Sequence, residues 1–481
     1  MFPLAVSCTT IHPVFSVLPF RHSPSVDFFA ARESSHRIEN QELRGIVVSA
    51  SETVNNGRDA AISPSKKSFL SKLGPGLITG VSDDDPSGIA TYSQAGAQFG
   101  YAMLWTALFS YPLMTAMQEI SARIGRVTGR GIAANMRRNS PPLLLYSVVA
   151  LLFVASVFNL GADLGAMGAA TQLLIGGSTT PYVVFFTIIS LLLQIYIPYT
   201  SYAKYLKWLT LVVLSYILTA LVVHVPWLQA LHATFFPSLS LDAKYFATLT
   251  AVLGTTISPY LFFWQASQEV EEVRVNQVEQ PLKRSPHQAP EEFERIRADT
   301  RFGMAISNIV AFFIILTAAS TLHRNGVLDV QTSAQAAKAL EPIAGRFAFL
   351  LFAAGIVGTG LLAVPVLAGA AAYSVAETFK WRGSLQRKPY KAKRFYGVLT
   401  AATLIGLSLN LVKIDPIRAL FWSAIINGVV AVPVMIVVMR LAANRKVMGE
   451  FGIPMLLKTV GWIATAAMFL TTVAMFVTLR Y

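Results

Sequence analysis

The chain has 481 residues, of which 54% are hydrophobic and only 13% charged, and its mean hydropathy is +0.54. Soluble domains carry about 25% charged residues, so a soluble globular protein is excluded. The single cysteine, Cys8, excludes an internal disulfide and a cysteine-built metal cluster. The net charge of +14 resembles that of a nucleic-acid binder. Basic residues between apolar spans have a plainer cause, the positive-inside rule. The expected partner is therefore a lipid bilayer and not nucleic acid.

Residues 1–68 read as a disordered tail, because Ser, Pro, Asn and mixed charges dominate from Arg21 to Ser68. The first twenty residues hold Pro3, Pro13 and Pro19 and no charged leading segment, so no secretory signal is expected. Residues 69–481 form one membrane domain. Spans need about 18 or more apolar residues. Eleven are expected, at 73–94, 101–123, 143–174, 181–199, 203–225, 247–268, 302–322, 346–377, 395–411, 416–440 and 455–479. The strand-length alternation of a membrane barrel is absent, so the fold class is all-α and polytopic.

The loops orient the spans. Arg123, Arg126, Arg130, Arg137 and Arg138 follow span 2, and Lys204 and Lys207 follow span 4. Span 6 is followed by Arg274, Lys283, Arg284, Arg295 and Arg297, among many acids. Basic clusters also follow spans 8 and 10. The intervening loops are nearly free of Lys and Arg, and residues 226–246 hold only Lys244. That asymmetry places the N-terminus in the cytoplasm and the C-terminus outside. A bacterial inner membrane is the expected location.

Two spans are interrupted. Span 1 contains Ser82-Asp83-Asp84-Asp85-Pro86-Ser87-Gly88, and span 6 contains Gly254-Thr255-Thr256-Ile257-Ser258-Pro259. Proline removes a donor and clashes with the preceding turn. Broken backbone at membrane depth is tolerated where it lines a cavity, and ionisable groups there point to function. Breaks in the first and sixth of eleven spans suggest two inverted five-helix repeats plus one extra helix, with a substrate site between the breaks. Asp163 and Asn159, four residues apart in span 3, share one helix face.

Gly74-Pro75-Gly76 leads to Asp85-Pro86 and then to Gln94-Ala95-Gly96-Ala97-Gln98-Phe99-Gly100-Tyr101. Together with Ser121-Ala122-Arg123, Val127-Thr128-Gly129, Asp163-Leu164 and Val447-Met448-Gly449-Glu450-Phe451, this resembles the NRAMP divalent-metal transporters. The resemblance runs from about residue 70 to the C-terminus and implies a LeuT-type fold carrying a divalent metal ion. The departures are specific. Ser87-Gly88 stands for the family's Gly-Asn, and Ser258-Pro259-Tyr260-Leu261 for its Met-Pro-His-Asn. Gln265 replaces a second histidine, and Ala166 replaces a glutamate on the family's proton route.

Those departures remove a thioether, an amide and several titratable groups. What remains is an all-oxygen ligand set: the Asp85 carboxylate, the Ser258 hydroxyl, and carbonyls near Ser82 and Thr255, with Asp84 as a further candidate. Carboxylate, carbonyl and water suit Mg2+, Ca2+ and Mn2+, whereas thioethers suit softer ions. The expectation is a divalent-cation transporter shifted towards Mg2+ or Mn2+, without a need for proton coupling. It most resembles the divergent branch that includes magnesium transporters. Asp83, Asp163, Asn159, Thr256, Gln265 and Glu269 are expected along the ion's route.

Plainer readings stand beside these. The hydroxyls of Ser258, Thr255 and Thr256 can bond their own backbone. Gln265, Gln268 and Glu269 can be a solvated helix end, an Arg can neutralise Asp163, and Asn427 can be a satisfied packing amide. Alternatives in function are an ordinary proton-coupled Mn2+/Fe2+ carrier and an organic-substrate symporter on the same fold. An enzyme is not expected, because Gly161-Ala162-Asp163 lacks the second glycine of the intramembrane aspartyl-protease motif. No cofactor is expected, the metal being cargo. The sequence leaves the oligomeric state open.

Overall fold

The computed structural model describes residues 75–197, 209–275, 279–411 and 414–480. The expected tail at 1–68 with Cys8, the opening residues of spans 1 and 5, and Lys204 and Lys207 lie outside these residues. Among the described residues every regular element is a helix.

Span 1 is α1 (Pro75–Asp83) followed by α2 (Pro86–Phe99). Then come α3 (Leu104–Thr128), α4 (Ile132–Asn139), α5 (Pro142–Ile175) and α6 (Thr179–Tyr196). The described part of span 5 ends in α7 (Ser215–Val222), with α8 (Trp227–Phe235) in the next loop. Span 6 is α9 (Ala243–Thr256) followed by α10 (Pro259–Val275). Span 7 is α11 (Ala289–Thr321), and the short helices α12 (Ser333–Ala337) and α13 (Glu341–Ala344) follow it. The chain closes with α14 (Ala348–Thr378), α15 (Lys393–Leu409), α16 (Pro416–Ala443), α17 (Arg445–Met448) and α18 (Met455–Thr478).

Each break has a local cause. Asp85 is the N-cap of α2, and its side chain accepts from the Gly88 N–H while Pro86 opens the helix. A capping acid followed by proline is a strong helix start, so the chain restarts there and cannot continue from α1. Pro259 opens α10 in the same way after Ile257 and Ser258 leave the helical region.

By length and apolarity alone, seven of the described helical segments qualify as membrane spans. The other expected spans fail for visible reasons. Span 1 is split, span 2 carries Glu119, Arg123 and Arg126, α15 has 17 residues, and span 5 is described only in part.

The helix of span 7 is longer than the apolar stretch 302–322 expected to cross the membrane, for α11 begins at Ala289. Glu291 and Glu292 in its first turn complement the helix dipole, and Arg295 pairs with Glu292 one turn away at 2.9 Å. Charge therefore extends this helix beyond its apolar run. Two packing contacts fix the broken helices. A Cβ on Gly80 of α1 would lie 2.3 Å from the Gly303 backbone of α11. A Cβ on Gly254 of α9 would lie 2.5 Å from the Gly428 N of α16. Small residues let membrane helices approach this closely.

Candidate metal-transport site

Asp85 is buried, and both of its oxygens are occupied. Oδ1 accepts from the Ser87 hydroxyl at 2.5 Å and the Gly88 N–H at 2.8 Å. Oδ2 accepts from the Asn159 amide of α5 and the Tyr260 hydroxyl of α10, each at 3.1 Å. Asn159 is held in turn by the Ser423 hydroxyl of α16, which donates to its Oδ1 at 2.8 Å. The carboxylate thus ties α2, α5, α10 and α16 to one point, and its four partners are two hydroxyls and two amides.

The second break offers mostly backbone. Ser258 donates its hydroxyl to the Thr255 carbonyl at 2.7 Å and lies 3.1 Å from the Gly254 carbonyl. It satisfies carbonyls freed by Pro259, as the plainer reading held, while its lone pairs stay available. The Ser87 and Thr255 hydroxyls lie 3.5 Å apart, so the two breaks face each other. Thr256 bonds the Val252 carbonyl and the Tyr92 hydroxyl, away from Asp85's partners.

Asp83 and Asp84 form a separate group. The Ser307 hydroxyl of α11 lies 3.0 Å from Asp83 Oδ2 and 3.0 Å from Asp84 Oδ1. One hydroxyl proton serves one of them at a time. Three consecutive residues cannot share a direction on a helical path, so the acidic triplet is divided between α11 on one side and α5 and α10 on the other. Asp84, expected as a ligand beside Asp85, is not brought to Asp85's partners. Among the described residues no group of three or more His, Cys, Asp or Glu converges as a ready-made metal cage.

The two sides of the breaks differ. On the α2/α9 side lies a cavity of about 370 Å³ lined by Gln94, Gln98, Thr248, Asp329, Lys244 and Arg418, among others. On the α1/α10 side the path is closed. Thr79 of α1 donates to Gln265 of α10 at 2.5 Å, and the Gly76 N–H donates to Asp299 of α11 at 2.6 Å. Beyond them lies a lattice of charge. Arg295 meets Glu269 at 2.6 Å, Glu292 at 2.9 Å and Glu272 at 3.2 Å, while Arg126 meets Glu279 at 2.6 Å and Glu292 at 2.9 Å. Arg126 and Glu269 are fully buried. Removing one member of such a pair costs about 3–5 kcal/mol, because the other charge is left stranded.

A family model described as natural resistance-associated macrophage protein-like (Nramp) matches residues 76–478. The chain belongs to the Nramp family. It is a divalent metal transporter of that family and not an enzyme. The divalent metal cation transporter MntH of Aeromonas hydrophila is 27% identical to it over 404 residues, covering 81% of this chain and 91% of that protein. The MntH of Pectobacterium carotovorum is 26% identical over 392 residues, 80% and 89% of the two chains. In structure, the manganese transporter of Eremococcus coleocola aligns with a TM-score of 0.66 at 17% identity, over 86% of this chain and 88% of that one. Mhp1, a nucleobase-cation-symport-1 family transporter, aligns at 0.51 and 14% identity, over 85% and 93%. The fold is the LeuT type, with spans 1 and 6 broken.

For this Nramp chain the expected site residues fall into three places. Asp85, Asn159, Ser258 and Thr255 surround the facing breaks, with Ser82 buried in the last turn of α1. Asp83 and Asp84 face α11. Gln265 and Glu269 lie in the closed α1/α10 side and are buried, which corrects the reading of a solvated helix end. Glu269 sits inside the lattice and not on an open route. Asp163 has no hydrogen-bond partner on either oxygen among the described residues, so the neutralising Arg is absent there. Asn427 likewise has neither amide atom paired and is not the satisfied packing amide expected. Sequence reasoning overlooked Tyr260 and Ser307 as contacts. Tyr260 stood out only as a replacement of histidine, and nothing marked Ser307 in its apolar span.

Proposed function

We propose that this Nramp chain carries a hard divalent cation, Mg2+ or Mn2+, across the bacterial inner membrane without obligatory proton coupling. One observation carries the reading: among the described residues the buried Asp85 carboxylate accepts from hydroxyl and amide groups only, with no thioether or imidazole among those partners. Oxygen donors and retained waters suit hard ions. Asp85 supplies the charge. The Ser258 hydroxyl oxygen and carbonyls near Ser82 and Thr255 complete the shell, and water fills the remaining positions. Asp84 and Asp83 add negative potential one and two residues away, and Asn159 orients the carboxylate. Thr256 lines the route on the α2/α9 side, and Gln265 and Glu269 line the later route, which opens when α1 and α10 part. The N-terminus is cytoplasmic in this reading and the C-terminus outside, as the Lys and Arg distribution supports.

A second reading has one observation in its favour. A fully buried Asp163 without a hydrogen-bond partner among the described residues suits a proton carrier, as in a proton-coupled Mn2+ transporter. An organic-substrate symporter is supported least, because the acidic triplet would repel a carboxylate-bearing substrate.

Uptake of Mg2+, Mn2+ and Ca2+ into proteoliposomes with an internal pH dye separates these readings. Metal entry without acidification, lost in Asp85→Ala, is the expected result. Entry with acidification, lost in Asp163→Asn, moves the conclusion to the proton-coupled reading. No metal entry by folded protein overturns both.

A further inference from the structure

The Asp85 carboxylate has no vacant acceptor position. An ionised carboxylate offers about four lone-pair sites, and four donors occupy them. An ion that binds Asp85 directly must displace one of these donors.

The four are not equally free to leave. The Gly88 N–H belongs to the first turn of α2, whose cap is Asp85 itself. Ser87 is its neighbour in the same turn. Asn159 is clamped from behind by Ser423, whose hydroxyl also lies 2.7 Å from the Leu420 carbonyl. Tyr260 differs. Its hydroxyl bonds Asp85 alone among the described residues. Its backbone sits in the first turn of α10, directly after Pro259 and the break. A hydroxyl can also turn from donor to acceptor, which an amide N–H cannot.

We propose that Tyr260 is the exchangeable partner of Asp85 and the residue that couples ion occupancy to α10. This rests on Asp85 being the ion's ligand, as proposed above. With the site empty, the Tyr260 hydroxyl donates to Oδ2 and holds the first turn of α10 against α2 and α5. An entering hydrated cation takes Oδ2, and Tyr260 swings away or turns its lone pair to a water of the ion. The start of α10 is then released. The same helix carries Gln265 to Thr79 of α1 and Glu269 to Arg295 of α11, so its first turn is connected to both latches of the closed side. Tyr260 thereby competes with the cation, weakening binding in return for a conformational response. It acts on every divalent ion that uses Asp85, so it sets affinity and turnover, and selectivity rests with the other ligands.

The test is calorimetric titration of purified protein with Mg2+ and with Mn2+, together with initial uptake rates, for wild type, Tyr260→Phe, Tyr260→His and Asp85→Asn. A hydrogen bond to a charged group is worth roughly a tenfold factor in an equilibrium constant. Tyr260→Phe removes the competitor, so Kd for both ions falls about tenfold while maximal uptake falls about tenfold. Tyr260→His keeps a donor and stays within about threefold of wild type in Kd. Asp85→Asn binds neither ion. An unchanged or higher Kd in Tyr260→Phe, with wild type binding normally, overturns this proposal alone. A wild type that binds neither ion overturns it together with the functional reading beneath it. Should Tyr260→Phe fail to fold, hydrogen–deuterium exchange of the unmodified protein decides. Mg2+ must raise exchange at Leu261–Phe263, and no change there overturns the proposal.

Discussion

The break in span 1 projects side chains, whereas the break in span 6 mends itself. At the first, each of three successive carboxylates reaches a group on another helix: Asp83 and Asp84 reach Ser307, and Asp85 reaches Asn159 and Tyr260. At the second, Ser258 turns back to carbonyls of its own helix, three and four residues earlier. Both interruptions come from proline, but only one brings charge. In the proposed reading the charged break holds the cation and the neutral one supplies oxygen dipoles opposite it. A cage of several acids would hold a divalent ion too tightly to release it, and one carboxylate facing neutral oxygens suits a carrier better.

That contrast can be broken at either end. Asp85→Ala removes the charge and strands four donors, so uptake of every divalent ion should drop to background in proteoliposomes. Arg295→Ala should be the next largest effect. It strands the buried Glu269 and leaves Glu292 to Arg126 alone, and it costs about 3–5 kcal/mol, visible as a lower unfolding temperature and faster labelling of a cysteine introduced at Ser267 in a Cys8→Ser background. Removing the stranded charge as well, by pairing Arg295→Ala with Glu269→Gln, should recover part of the loss.

Ser258→Met sharpens the contrast by placing a thioether in the neutral break. Preference should move towards Cd2+ by roughly tenfold relative to Mg2+, measured as the ratio of initial uptake rates. An unchanged ratio would mean that residue 258 never faces the ion. Ser307→Ala tests the side of the acidic triplet turned away from Asp85. It should cost about 1–3 kcal/mol through two carboxyls left without their shared donor, with a smaller loss of uptake than Asp85→Ala. Equal losses would mean that all three acids act as one site.

The spans and both breaks were legible because apolar length and proline report directly on membrane helices. The lengthened α11 was not, because its first turns are charged and read as loop; ion pairs to Glu269 and Arg126 hold it in place, and pairing across helices leaves no local pattern. Asp85 was legible as a carboxylate beside proline at membrane depth. The division of the triplet depended on which helix each acid faces, information that lies in Ser307 and Asn159, far away in the chain. Tyr260 was visible only as a replaced histidine. Its contact with Asp85 required the two breaks to be seen facing each other.

The central claim is that an oxygen- and amide-lined Asp85 site prefers hard ions. The most direct measurement is the initial rate of Mg2+ uptake into proteoliposomes in the presence of increasing Cd2+. The account predicts saturable Mg2+ uptake that withstands an equal concentration of Cd2+ and disappears in Asp85→Ala. Cd2+ uptake that outpaces Mg2+ and abolishes it at equal concentration would contradict the claim.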